Sequence, residues 1–366
     1  MSIDLESLVR NENKSRVRWG FIIALVCAAL WGSGYVSLTM LWIVPPYGDF
    51  AIFPEGMAGF LVAAITMTSF MAIAGTLILS IFWLGSTGKF WDLPRTFLNF
   101  KISKWFILGA VLGGPVAIMG TNLAVGYIGG AFAAAAALLC SVVGAITAKV
   151  WYGENITRRA WIGICLILVG GIFILNPVQM LAELSNPASP DGIWLGYLGG
   201  IMAAIGWGVE GAVAGRALDV TDADSGLVSR YVGESLIWLS LIWPASMLVF
   251  GVDTMTTAIV ATASSPSFLI WVSLVTLTAI LAYVFLYKTF PLIGVGRGLS
   301  MSTLYVPTSI AALIIFMAMP IGWWILAGAV LAITGTFTMY WESGESLLEC
   351  TRDCSVAVDE IKEGEQ

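Results

Sequence analysis

The sequence predicts an all-α integral membrane protein of ten transmembrane helices, arranged as two inverted five-helix repeats. Three observations predict it. The 366-residue chain is 58% hydrophobic and 11% charged, with a mean hydropathy of +0.90. Soluble domains carry roughly 25% charged residues, so this much apolar surface needs a bilayer as its solvent. Apolar runs long enough to cross a membrane recur along the chain, and two stretches align with each other without gaps.

A hydrocarbon core of about 30 Å takes about 20 apolar residues of helix. The first such run, 20–41, follows the polar stretch Asn11–Arg18 and lacks a small-residue cleavage site, so it reads as a retained span rather than a signal peptide. The others lie at 60–83, 105–124, 129–150, 160–176, 193–217, 227–250, 268–289, 298–317 and 323–341. The runs are continuous rather than alternating, which a membrane β-barrel would require. The expected organisation is a cytoplasmic segment at 1–19, a first repeat at 20–176, an extracytoplasmic linker at 177–192, a second repeat at 193–341 and an acidic cytoplasmic tail at 342–366.

Lys and Arg set the orientation. Arg10, Lys14, Arg16 and Arg18 precede the first span, and Lys89, Arg95, Lys101 and Lys104 follow the second. Lys149, Arg158, Arg159, Arg216, Lys288, Arg297, Arg352 and Lys362 fall on the same side when ten spans are counted. The opposite loops, 42–59, 177–192 and 251–267, contain Asp49, Glu55, Glu183, Asp191 and Asp253 but no Lys or Arg. The positive-inside rule then puts both termini in the cytoplasm of a plasma or inner membrane.

The internal match pairs Ile128–Gly129 with Ile293–Gly294, Gly163 with Gly328 and Gly170 with Gly335. Trp31–Gly32 likewise aligns with Trp207–Gly208. Halves of five spans each must insert in opposite senses, and inverted repeats mark secondary transporters with a site near the midplane. Small-residue runs such as Gly129–Ala137 let helix backbones approach closely.

Charges at membrane depth are few: Glu210 in the sixth span, Arg230 and Glu234 in the seventh. Ionisable groups there are costly and point to function. Arg230 and Glu234, four residues apart, either pair along one helix face or leave Arg230 to reach Glu210. Trp207 shares a face with Glu210, and the repeat brings Trp31 opposite. Tyr283 and Tyr287 lie in the eighth span and Tyr305 in the ninth. Aromatic faces around a carboxylate suit an organic cation, because ring quadrupoles attract a cation without needing hydrogen bonds. Interfacial belts account for other aromatics, Trp42, Trp83, Trp105, Trp151, Trp323 and Trp324 among them. Proton coupling through a side-chain carboxylate would pass through Glu210 or Glu234.

The chain has no histidine, so it has no His-based relay, metal site or catalytic triad. No nucleophile has an evident base, and an enzyme is not expected. Cys27, Cys140 and Cys165 sit in apolar runs, while Cys350 and Cys354 in the tail lack further ligands. No metal, cofactor or nucleic-acid partner is expected. The partners are a small organic solute and the lipid bilayer, with the chain a monomer or homodimer.

The stretch "KVWYGENITRRAWIGICLILVGGIFIL" (149–175) resembles the EamA-type repeat of the drug/metabolite transporter superfamily. The resemblance spans nearly the whole chain and implies ten helices in two inverted halves. More narrowly, "GPVAIMGTNLAVGYIGG" (114–130), "AAIGWGVEGAVAG" (203–215), "GLVSRYV" (226–232) and "AYVFLYKTFPLIGVGRGLSMSTLYV" (282–306) resemble lic-operon-type bacterial choline permeases. That resemblance implies a trimethylammonium cage at Trp31, Trp207, Glu210, Tyr283, Tyr287 and Tyr305. The chain departs from those permeases at Cys140–Ser141, where they carry Tyr-Pro. It also departs at Ile65–Phe70, where they carry a His-Asp pair, and in a longer first outer loop. Other quaternary amines therefore stay open beside choline. So does a different task on the same fold, the export of amino acids, nucleosides or other metabolites, and so does a non-transporting membrane scaffold.

Overall fold

The computed structural model describes residues 5–152, 158–218, 221–293 and 295–340. The Gly153–Glu154 loop of the repeat motif, Gly294 and the acidic tail with Cys350 and Cys354 lie outside the described residues. Among those described, all regular structure is helical. Eight helices are long and apolar enough to cross a membrane. They are α1 (Leu5–Leu41), α2 (Met57–Thr87), α3 (Phe100–Tyr127), α4 (Gly130–Trp151), α5 (Trp161–Ser185), α6 (Trp194–Leu218), α7 (Ala223–Phe250) and α8 (Pro266–Ile293). Two shorter apolar helices follow, Tyr305–Met317 and Trp323–Tyr340.

The side chains are distributed as a bilayer requires. Phe82, Leu248, Ile315 and Phe316 are each at least 70% exposed, while Glu210, Arg230 and Glu234 are buried. Large apolar groups outside and charges inside reverse the arrangement of a water-soluble domain. In lipid every backbone group must be satisfied within the chain, which a helix does by itself.

Several elements differ from the sequence expectation. Helix α1 runs back to Leu5, so it extends beyond the span expected at 20–41. The span expected at 298–317 is broken into Val295–Ser302 and Tyr305–Met317. Pro307 has no N–H for the Thr303 carbonyl, which accepts from the Val306 N–H instead at 3.1 Å. Helix α5 is interrupted at Asn176, whose φ is +41° and whose side chain caps a new turn, Pro177–Ser185, within the expected linker. The expected loop 251–267 contains a helix, Val252–Ala263. π-Helical turns widen α2 at Ile78–Trp83, α3 at Leu112–Ile118 and α7 at Trp238–Ile242. Pro115 lies inside the turn in α3, and Pro244 lies two residues beyond the end of the one in α7, where a missing N–H disturbs the ladder.

Packing is close where side chains are small. Helix α5 lies along Trp323–Tyr340, and α6 packs on α3 and α4. Helix α1 packs on α8 and on Tyr305–Met317. A methyl on Gly170 would strike the carbonyl of Gly328, and one on Gly335 would strike the carbonyl of Gly163. Such contacts let backbones meet where lipid offers no hydrophobic drive.

The two ends of the bundle differ. At one, Asp224 accepts from Trp83 Nε1 at 3.0 Å and pairs with Lys89 at 2.8 Å and Lys288 at 3.1 Å. Lys89 also pairs with Asp222 at 2.6 Å. Partial burial pulls the Lys89 pKa down, but its bonds to Asp222 and Asp224 more than offset this and hold it above the ordinary 10.5. With the carboxylates ionised, the contribution of these pairs is undiminished up to about pH 10.5 and is lost as pH rises through the higher folded value of Lys89; at acid pH it is lost as the carboxylates are protonated. At the other end, Tyr47 Oη and Thr262 Oγ1 share a hydrogen bond of 2.9 Å, and Tyr127 donates to the Asp191 carbonyl at 3.1 Å. The segments there, 42–57, 176–193 and 251–265, contain no Lys or Arg.

Asp224 thus ties the 88–99 connection to α7 and α8. Asp224→Ala should speed tryptic cleavage after Lys89 or Arg95 several-fold in detergent solution, read by mass spectrometry. An unchanged rate would show that the connection is held by other contacts.

Candidate functional site

The buried charges form one cluster. Arg230 on α7 donates from Nε to Glu210 Oε1 on α6 at 2.8 Å. Its Nη1 donates to Glu234 Oε2, one helical turn further along α7. Both arrangements considered for Arg230 therefore occur together: it pairs along its own helix and reaches Glu210. Tyr283 on α8 donates to Glu210 Oε2 at 3.2 Å. The guanidinium carbon lies 4.5 Å from the Tyr231 ring centroid and 5.0 Å from that of Tyr283. Removing such charges from water costs several kcal/mol per ion. Paired charges, hydrogen bonds and ring faces offset that cost.

Room for the cluster comes from α3. A methyl on Gly113 would strike Arg230 Nη2 and the Glu210 carboxylate, and one on Gly114 would strike Glu234. Both glycines lie in the π-helical turn around Pro115. Two carboxylates face one guanidinium, so one acid is in excess.

The aromatic residues gather around Trp31 on α1. Its ring centroid lies 6.0 Å from Trp207, 5.0 Å from Tyr283 and 6.1 Å from Tyr305. Tyr35, one turn along α1, stacks on Tyr305 at 5.8 Å with the planes 4° apart. Tyr305 is anchored by its hydroxyl, which donates to the Ala134 carbonyl at 2.8 Å. Tyr283 joins the two groups, with its ring edge-to-face on Trp31 and its hydroxyl on Glu210.

Of the residues singled out in the sequence, Trp31, Trp207, Tyr283 and Tyr305 therefore come together. Tyr287 stands one step away, 6.2 Å from Tyr283 and stacked on Phe290 at 5.8 Å. Glu210 is next to the cluster but not free to face it: Arg230 takes one carboxylate oxygen and Tyr283 the other. Tyr35 was not anticipated, although its spacing of four from Trp31 puts it on the same helix face. The indole N–H of Trp207 is buried without an acceptor. Among the described residues, no group of three or more Cys, Asp or Glu side chains could hold a metal ion.

The fold and its lipid-facing surface define a multi-pass, all-helical membrane protein. By sequence, no family model and no curated protein matches this chain. By fold, 17 solved chains match. One of them, a crystal structure described only as that of a protein, is 17% identical with a TM-score of 0.50. The match covers 88% of this chain and 96% of that one, and shows a similar fold.

Gly113→Ala should lower stability in detergent by about 1–3 kcal/mol, the usual range for overpacking. Gly109→Ala is the control, since a methyl there would meet only Glu210 Cγ at an ordinary 3.7 Å. Equal thermal midpoints for the two variants would show that the cluster has room to spare.

Proposed function

We propose that this chain is a secondary transporter of a small organic cation, choline or a related quaternary amine, working by alternating access. The observation that carries the reading is the aromatic cluster. Trp31, Trp207, Tyr283 and Tyr305 converge from four helices, and Tyr283 joins them to a buried ion cluster with one acid in excess. Ring faces attract a quaternary ammonium group, and the excess acid makes the surroundings favour positive charge.

The architecture proposed for it is ten spans in two inverted halves, with Tyr305–Met317 and Trp323–Tyr340 as the last two. Packing supports this. Gly163 and Gly170 align in sequence with Gly328 and Gly335, and the contacts cross over: Gly170 meets Gly328, and Gly335 meets Gly163. A pseudo-two-fold axis would produce that exchange. Trp31 and Trp207, also aligned, meet at 6.0 Å. Helix α6 contacts α3 and α4 much as α1 contacts α8 and Tyr305–Met317. With the Lys- and Arg-free end outside, both termini are cytoplasmic.

A cation binds within about 6 Å of a ring centroid, so two rings that share one stand well apart. Trp31 and Tyr283, 5.0 Å apart, touch each other instead. Solute entry therefore parts these rings, which rocking of the two halves would do. An inside-negative potential favours cation entry by about 2.3 kcal/mol per charge per 100 mV. Where a proton is coupled to the solute, Glu210 or Glu234 carries it.

A second reading, export of amino acids or other metabolites, is favoured by the unpartnered indole N–H of Trp207. That group donates only, so a solute carboxylate or carbonyl would satisfy it.

Proteoliposomes with an inside-negative potassium diffusion potential should accumulate radiolabelled choline saturably. Trp31→Ala and Trp207→Ala should each lower uptake at least about tenfold, a loss of about 1.4 kcal/mol or more of binding or barrier energy, and Glu210→Gln should abolish it. Absence of choline uptake, with amino acids raising the thermal midpoint, would replace this reading by the second.

A further inference from the structure

A cavity of about 460 Å³ opens at the Lys- and Arg-free end of the bundle, and none of the aromatic cluster around Trp31 lines it. Its volume falls in the range of small-molecule sites, about 300–1,000 Å³. Tyr127, Phe132, Tyr197 and Trp324 line it, and Glu183 is the one charged side chain among its lining residues.

That carboxylate is held in place by neutral donors. Tyr197 Oη donates to Glu183 Oε2 at 2.6 Å, and Gln179 Nε2 donates to Oε1 at 2.9 Å. Asn176 Nδ2 donates to Gln179 Oε1 at 3.2 Å, which turns the glutamine amide so that its donor faces the acid. The interruption of α5 at Asn176 is what brings Gln179 and Glu183 over the cavity as residues of one short helix. Neither donor carries charge, and the segments forming this end have no Lys or Arg to neutralise Glu183.

We infer that this cavity is a second binding site, for a small organic ammonium ion, built from Glu183 and the surrounding aromatic walls. The chemistry selects that class. One carboxylate without further acids is a poor cage for a divalent metal, which takes six or more oxygen ligands as calcium or magnesium. Aromatic walls favour a cation carrying methyl or methylene groups over a strongly hydrated inorganic ion. An anion would meet the negative charge of Glu183 and no cationic side chain. The site needs no transport activity to exist.

The test is cysteine protection on the full-length chain in lipid nanodiscs. Ala188, exposed on the cavity wall, is changed to Cys after the five native cysteines are replaced. Tetramethylammonium chloride should slow labelling by a polar maleimide at least about threefold and saturably, whereas sodium chloride at equal concentration should not. Glu183→Gln should remove the protection, and Tyr197→Phe should weaken it. Equal labelling rates with and without tetramethylammonium, or full protection surviving in Glu183→Gln, would overturn the inference. Trp31→Ala should leave protection intact, so this result is read separately from choline uptake: protection without uptake keeps this site and removes the organic-cation transport reading, and uptake without protection does the reverse.

Discussion

The interaction on which the rest depends is the sharing of one guanidinium, that of Arg230, between Glu210 and Glu234. All three side chains are withdrawn from solvent in the middle of an apolar bundle. In that medium an unpaired charge is prohibitive, so the partners must be held whenever the helices carrying them are in place. Helices α6 and α7 are thereby tied together. Helix α3 must present glycines to them, and α8 must present Tyr283. The π-helical turn around Pro115, a local irregularity by itself, becomes intelligible as the place where α3 yields space to the ions.

The same arrangement links charge to the aromatic cluster. Tyr283 touches Trp31 with its ring and Glu210 with its hydroxyl. Movement of Trp31 or Tyr305 to admit a solute would be felt by Glu210, and a change at Glu210 would be felt by the rings. For the proposed transporter this is a physical route from solute to ion cluster, made of contacts one residue long. Arg230 already supplies a cation over Tyr283 and Tyr231, so an incoming ammonium group would share the acids with Arg230 rather than find one waiting empty.

Hydropathy made the long spans legible because a lipid-embedded helix must satisfy its own backbone, whatever its neighbours do. The charge pair at Arg230 and Glu234 was legible from its spacing of four. Trp31 and Trp207 were drawn together by matching two parts of the chain. Other features depend on tertiary placement and carry no such mark. Glu210 and Arg230 are twenty residues apart on different helices, and only packing decides whether they meet. The break before Tyr305 had a visible cause in Pro307, but a continuous apolar run concealed it. Tyr35 carried a usable signal, its spacing from Trp31, yet looked like one more aromatic in a chain rich in them. The cavity beside Glu183 is assembled from segments that read as loops and helix ends, where hydropathy is silent.

The central claim is that Arg230 balances two buried acids. Its most direct test is the unfolding free energy in mixed detergent micelles for three proteins: wild type, Arg230→Met, and Arg230→Met combined with Glu210→Gln and Glu234→Gln. The single substitution strands two carboxylates and should cost about 3–5 kcal/mol, as breaking a buried pair does. Neutralising both acids as well should recover most of that loss. A triple variant no more stable than the single one, or a single substitution without effect, would contradict the account.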